Sequence, residues 1–197
     1  MKKIAFFDFD GTITTKDTML ELIKFQKGTV LFYAGFFINS PSIIAYKLKL
    51  ISNQLAKERV LKYFFKGTSQ ANFQQACDDF AGIKLPSMIR PGALTELEDL
   101  KAQGFEIVIV SASAGNWIKK WCDNMGVRFL ATQLEVENEL ITGKLKGHNC
   151  HGEEKVLRIR SAYDLSAYDA IYCYGDTGGD KPMLELGTKA FYKPFRQ

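Results

Sequence analysis

Phe6-Phe7-Asp8-Phe9-Asp10-Gly11-Thr12-Ile13-Thr14 sets two carboxylates one residue apart at the end of an apolar run. Ile4 to Phe7 are all apolar, as suits a strand buried on both faces. Gly11 breaks the strand, so Asp8 and Asp10 fall on a turn beyond its carboxyl end. Open α/β sheets bind their ligands there. Two acids so close repel unless a cation or a proton sits between them. A magnesium ion with a phosphate resolves that conflict.

Three further strand ends and helix starts supply matching groups. Ile107-Val108-Ile109-Val110 is a second buried strand, ending at Ser111-Ala112-Ser113. Lys155 lies near the start of a helical stretch. Ala170 to Tyr174 is a third strand, ending at Gly175-Asp176-Thr177-Gly178-Gly179-Asp180. Each group suits phosphoryl chemistry. Asp8 can attack phosphorus, Ser111 can donate to a phosphate oxygen, and Lys155 can neutralise developing charge. Asp176 can bind the metal. Magnesium prefers oxygen and keeps several waters, so two carboxylates and a backbone carbonyl suffice.

With these residues in place, the chain resembles the haloacid dehalogenase superfamily of phosphohydrolases over Lys2 to about Phe191. Asp8 matches the nucleophile, Asp10 the general acid/base, Ser111 and Lys155 the phosphate-binding pair, and Asp176 with Asp180 the acidic motif. Thr132 to Val136, Thr142-Gly143-Lys144 and Cys150 to Val156 resemble the phosphoserine-phosphatase-like branch, subfamily IB. Within that branch Gly179 stands where Asn is usual, and Ala112-Ser113 where Gly-Gly is usual.

The resemblance implies a mechanism that the residue chemistry allows. Asp8 attacks in line and forms an aspartyl-phosphate. Asp10 protonates the leaving alcohol, then deprotonates the hydrolytic water. Magnesium is held by Asp8, the Asp10 carbonyl and Asp176. Asp180 is expected to support the metal's waters and orient Lys155, and Thr12 to hydrogen-bond the phosphate. A dehalogenase needs only the first acid, whereas an alkoxide leaving group needs the proton that Asp10 carries.

Composition agrees. The 197 residues allow one core domain plus a modest insertion, and 46% hydrophobic content excludes a disordered chain. The four cysteines have no CxxC spacing and read as free thiols of a reducing cytoplasm. Asp8 and Asp10 interrupt the first apolar run too soon for a signal peptide, so a cytoplasmic protein is expected. His148-Asn149-Cys150-His151 offers three ligands where a structural zinc site takes about four. It reads as the turn leading to the Lys155 helix.

Alternating elements predict an α/β fold, a doubly wound Rossmann-like parallel sheet. A small helical cap follows the first strand. Residues 1–13 and 89–197 form the core, and 14–88 the cap. In the cap, one helix begins near Thr18 with Glu21 completing a capping box. A second is capped by Asn53, buries Ala56, Val60, Tyr63 and Phe64, and ends at Gly67. A third spans about Ser69 to Phe80. In the core, helices follow Pro91 and Asn116, a short strand lies near Val127–Ala131, and Leu134–Val136 pairs with Lys144–Lys146 as a hairpin. The last strand covers Lys189–Tyr192.

The cap decides the substrate. Its 10 Lys/Arg against 5 Asp/Glu give +5, while the rest carries 16 against 17, or −1. A positive cap over an acidic metal site draws in anionic substrates, although charge runs are often only solvation. In phosphoserine phosphatases a cap carboxylate near Asp17 binds the substrate amine, and Arg59 resembles their carboxylate-binding arginine. The small phosphorylated substrate expected is therefore phosphoserine or similar. Asp17 also reads as a helix cap, and Arg59 as part of a solvated face.

The run Val30 to Ile38, resumed at Ile43 to Tyr46 after Asn39-Ser40-Pro41, points elsewhere. Residues 30–46 are too short an apolar run to span a bilayer, which takes about 20 residues. Flanked by Lys24, Lys27, Lys47 and Lys49, the run suits a peripheral membrane contact. Bacterial phosphatidylglycerophosphate phosphatases of this branch carry an apolar cap segment, so a lipid phosphate is the alternative substrate. Short apolar runs are more usually buried, which favours cap core or a dimer contact. A phosphotransferase or mutase shares Asp8 and Asp10 but must exclude water. Nucleic-acid binding has no motif to support it. The oligomeric state is not encoded in any of these features.

Overall fold

The computed structural model describes residues 1–196. Five parallel strands form one sheet, β1 (Lys3–Phe7), β2 (Phe105–Ala114), β3 (Arg128–Thr132), β6 (Ala170–Gly175) and β7 (Lys189–Tyr192). Their order is β3-β2-β1-β6-β7. A separate antiparallel hairpin joins β4 (Leu134–Glu137) to β5 (Leu140–Leu145). Strand β1 is central, with Phe7 opposite Ile109 on one side and Tyr174 on the other.

Alternation along β1 splits the interior into two layers. Ile4 and Phe6 pack with Ile159 of α6 (Glu153–Ala162) and with Met183 and Leu184 of α7 (Lys181–Leu184). Ala5 and Phe7 face the layer of α4 (Pro91–Ala102) and α5 (Gly115–Met125). Helices therefore cover both faces, and the fold is the doubly wound α/β sheet the sequence predicts. Pro91 opens α4, where its missing N–H costs nothing. Gly126 closes α5 at φ +60°. Cys77, Cys122, Cys150 and Cys173 are buried free thiols.

Between β1 and α4 stand three helices, α1 (Thr18–Lys47), α2 (Asn53–Phe65) and α3 (Gln70–Ile83). The chain enters and leaves this insertion through paired segments: Thr15 N–H donates to the Met88 carbonyl at 2.8 Å and Arg90 N–H to that of Ile13 at 2.8 Å. Phe32, Leu61, Phe65 and Phe80 join the same apolar cluster as Phe7 and Trp117. The β4–β5 hairpin lies against α2, and the backbone of Gly143 comes so near Lys62 that a Cβ would stand 2.3 Å from its Cα.

Several local expectations shift. The cap of α1 is Asp17, which accepts from Leu20 N–H, rather than Thr18, whose hydroxyl is used elsewhere. Ser52 rather than Asn53 caps α2, accepting from Leu55 N–H. Tyr63 is exposed, and the buried stripe of α2 runs through Ala56, Val60, Leu61, Phe64 and Phe65. Helix α1 breaks at Gly28 (φ +80°, ψ 164°) and then continues through residues 30–46. Only one side of that run is cap core: Phe32 is buried in the main cluster, whereas Val30 and Phe37 are each 81% exposed.

Candidate active site

The turn Phe9–Ile13 after β1 is closed by the Thr14 N–H, which donates to the Phe9 carbonyl at 3.0 Å. Gly11 takes φ +82° there, and a Cβ on it would stand 2.5 Å from Asp176 Oδ2. Only glycine lets this turn approach the end of β6. Asp8, Asp176 and Asp180 thereby bring carboxylate oxygens within 4.8 Å of one another, all buried.

Lys155, at the start of α6, is the cation of this cluster. Its Nζ donates to Asp8 Oδ1 at 2.6 Å and to Asp180 Oδ1 at 2.7 Å. Burial opposes its charge, but Asp8 and Asp180 outweigh burial and hold the ammonium above its ordinary range. Burial raises the Asp8 carboxyl to about 7, with Lys155 pulling it down and Asp180 pushing it up. Asp180 goes the other way: burial would raise it, but Lys155 and the Thr177 hydrogen bonds hold it below the usual carboxylate range. Its second oxygen accepts from the N–H groups of Asp176 and Thr177 and from the Thr177 hydroxyl. Both Asp180 oxygens are thus committed to organising the loop and Lys155.

Asp10 sits apart from that cluster. Its Oδ1 accepts from the Thr18 backbone N–H at 2.7 Å and hydroxyl at 2.6 Å, and its Oδ2 accepts from the Ser113 hydroxyl. Ser113 reaches it because β2 loses register with β3 between Ser111 and Ala114. The Trp117 indole N–H donates to the Thr18 hydroxyl at 3.0 Å and completes the clamp.

Asp8, Asp10, Lys155 and Asp180 border a cleft of about 590 Å³. The insertion supplies its opposite wall, with Phe36, Ile43 and Tyr46 from α1 and Ala56, Lys57 and Val60 from α2. Asp17 lines the mouth while also capping α1. Arg59 does not reach the cleft. It is exposed and donates to Ser42 Oγ at 2.9 Å, because two residues along a helix turn a side chain about 200° from its neighbour's direction. Lys57 takes the inward place, donating to the Ala112 carbonyl at 2.6 Å and to Asn149 Oδ1 at 3.3 Å. Burial lowers its pKa, against the pull of Asp17 and Asp10.

Two further expectations are modified. The Thr12 hydroxyl is occupied by acids, donating to Asp8 Oδ2 at 3.0 Å and lying 3.3 Å from Asp176 Oδ1, so it braces carboxylates rather than facing the cleft. Ser111 is fully buried, and its Oγ accepts the Ser113 N–H at 2.9 Å. Among the described residues its own hydroxyl proton has no acceptor, which leaves it able to donate.

The donor set fits magnesium. Asp8, Asp176 and Asp180 crowd together against Lys155 and Arg196, and Asp10 stands at the same cleft. Carboxylate oxygens are the hard donors that magnesium takes. Arg196 pairs with Asp176 Oδ2, and burial followed by the Asp180 charge holds Asp176 above its ordinary pKa despite that partner.

Sequence reading missed Lys57, Thr18, Ser113, His151 and Arg196. Lys57 lies one position from Ala56 on the α2 stripe, and His151 stands in the His148–His151 cluster that reads as a turn. His151 lines the cleft, and a Cβ on Gly179 would stand 2.2 Å from its Nε2. The glycine at 179 therefore makes room for this imidazole.

A model of haloacid dehalogenase-like hydrolases matches residues 5–185. The curated protein CicA of Caulobacter vibrioides is 33% identical over 192 residues, covering 96% of this chain and 85% of its own length. A solved structure of a protein of unknown function from Bordetella pertussis Tohama I superposes at TM-score 0.83, with 20% identity and coverage of 95% and 88%. A phosphoserine phosphatase solved as a phospho-aspartyl intermediate analogue matches at TM-score 0.68, with 16% identity and coverage of 94% and 83%.

Proposed function

Because this chain belongs to the haloacid dehalogenase-like hydrolases, we propose that it is a phosphatase, a magnesium-dependent phosphomonoester hydrolase working through an aspartyl-phosphate on Asp8. The observation that carries the reading is Lys155, buried and bonded at once to Asp8 and Asp180, beside an Asp10 held separately at the same cleft.

Asp8 attacks phosphorus, forming the Asp8–phosphorus bond as the ester oxygen departs. Asp10 gives that oxygen its proton, then takes one from the water that cleaves the acyl phosphate. Lys155 and the Ser111 hydroxyl balance charge on the equatorial oxygens. Asp180 fixes Lys155 and the loop bearing Asp176. When bound by Asp8, the Asp10 carbonyl and Asp176, magnesium supplies the charge that offsets repulsion between two anions. Segment 14–88 acts as the cap that closes over the cleft.

The leaving group is a small phosphorylated metabolite's alcohol, held between Asp17 and Lys57. These two oppositely charged groups suit an amino-acid-like molecule such as phosphoserine, with Lys57 in the part first given to Arg59. A second reading, a lipid phosphate, is favoured by the apolar wall of Phe36, Ile43, Ala56 and Val60. Phosphate release with magnesium across phosphoserine, other small monoesters and phosphatidylglycerophosphate in micelles, with Asp8→Asn as blank, decides between them. No release from any ester would overturn the phosphatase reading. The protein is expected in the cytoplasm.

A further inference from the structure

Helix α1 beyond Gly28 carries a face that nothing among the described residues covers. Val30, Ala34, Phe37, Pro41, Ile44 and Leu48 follow helical spacing and are all exposed. Leu31 and Ile38, exposed at 58% and 59%, widen the stripe. The opposite side of the same helix is anchored: Phe32, Gly35, Asn39 and Ser42 are buried, and a Cβ on Gly35 would stand 2.2 Å from the Phe64 ring. By length and composition α1 qualifies as a bilayer-crossing helix. Its packed inner face and its break at Gly28 make it a helix that lies on a surface instead.

Charge identifies what that surface is. No acidic residue occurs between Glu21 and Glu58, while Lys24, Lys27, Lys47 and Lys49 occur on or just after α1. Exposed Lys47 and Lys49 stand at the end of the stripe. A second copy of the chain would set this acid-free face against itself, with no carboxylate to pair. We propose that the exposed face of α1 docks the protein on an anionic phospholipid bilayer.

Phe36, Ile43 and Tyr46 of the same helix line the cleft, so docking holds its mouth at headgroup level. The docking itself stands independently of the catalytic reading, whereas delivery of a membrane-borne phosphomonoester rests on it.

The test is co-sedimentation of the full chain with vesicles of phosphatidylcholine alone or with one-third phosphatidylglycerol. Binding to the anionic vesicles is expected, falling at least about tenfold for Val30→Asp/Phe37→Asp. Lys47→Glu/Lys49→Glu should erase the preference for anionic lipid. Turnover of a soluble ester and light scattering accompany each variant, to separate misfolding and loss of catalysis from loss of docking. Absence of vesicle binding, binding unchanged in the Val30/Phe37 variant, or a dimer that Phe37→Asp dissociates and vesicles do not would each overturn the proposal.

Discussion

Thr18 is bonded twice to one oxygen of Asp10, through its backbone N–H at 2.7 Å and its hydroxyl at 2.6 Å. The first turn of the inserted helix α1 therefore holds Asp10, the acid/base proposed for the core. Any shift of α1 relative to β1 loosens Asp10 before it disturbs Asp8, whose partners all lie in the core.

This clamp gives a leaving-group test. Asp10→Asn should cost about 10²–10⁴ in hydrolysis of alkyl phosphates. Ser113→Ala should cost less but show the same pattern. Both should slow phosphorylation by p-nitrophenyl phosphate far less, since that leaving group needs no proton. Equal losses on the two ester types, read by rapid-quench kinetics, would deny Asp10 its acid role.

Asp8→Asn should lower turnover by more than about 10⁴-fold. It should also abolish the acid-stable, hydroxylamine-sensitive phosphoenzyme that a radiolabelled ester leaves on the wild type. A labelled phosphoenzyme in the variant would place the nucleophile elsewhere.

Lys57 and Arg59 separate by geometry alone. Lys57→Ala removes the cation that faces the cleft and should raise KM about 10–100-fold for an anionic leaving group. Arg59→Ala should leave KM within about twofold, because its guanidinium contacts Ser42 of α1 and does not line the cleft. The reverse outcome would mean that α2 rotates when substrate binds.

Much of the core was readable because period-2 and fully apolar runs ending in acids have few structural meanings. Asp8, Lys155, Asp176 and Asp180 fall just past strand ends or near helix starts, Asp10 lies on the turn after β1, and Ser111 lies within β2, which runs on to Ala114. The insertion resisted because its side chains act through three-dimensional rotation. Two positions on a helix decide whether Arg59 or Lys57 faces inward, and stripe rules cannot resolve so fine a difference. Residues 30–46 misled for a different reason. Apolar composition reports affinity for a non-aqueous neighbour without saying whether that neighbour is protein. Thr18 and Ser113 left no signal, since a hydroxyl's partner ninety-five residues away is invisible locally.

Proton release should accompany metal binding. In the metal-free fold Asp8 titrates at about 7 against an ordinary 3.8, so between those values the folded chain holds a proton the unfolded chain has lost. Metal-free stability should therefore fall as pH climbs from about 4 to 7. Magnesium needs the carboxylate, so its apparent affinity should fall below pH 7. Calorimetry in buffers of different ionisation enthalpy measures the proton, and thermal melts with and without magnesium measure the stability. A pH-independent affinity across 5.5 to 8 would contradict the origin given for this shift.

Gly179→Ala should impair the enzyme by driving a methyl group toward His151. His151→Ala in the same chain should restore much of the loss, since it empties the space. Failure of the second substitution to rescue kcat/KM would locate the damage in the Asp176–Asp180 backbone instead.

All four thiols are sealed in the interior, and burial pushes those of Cys122, Cys150 and Cys173 up to about 12, 11 and 12. Peroxide and alkylating reagents attack the thiolate, which is almost absent here at neutral pH. Oxidative stress that silences phosphatases built on a reactive cysteine would leave the carboxylate chemistry proposed for Asp8 running. Phosphate removal by this protein would then persist under conditions in which thiol-dependent signals are held on.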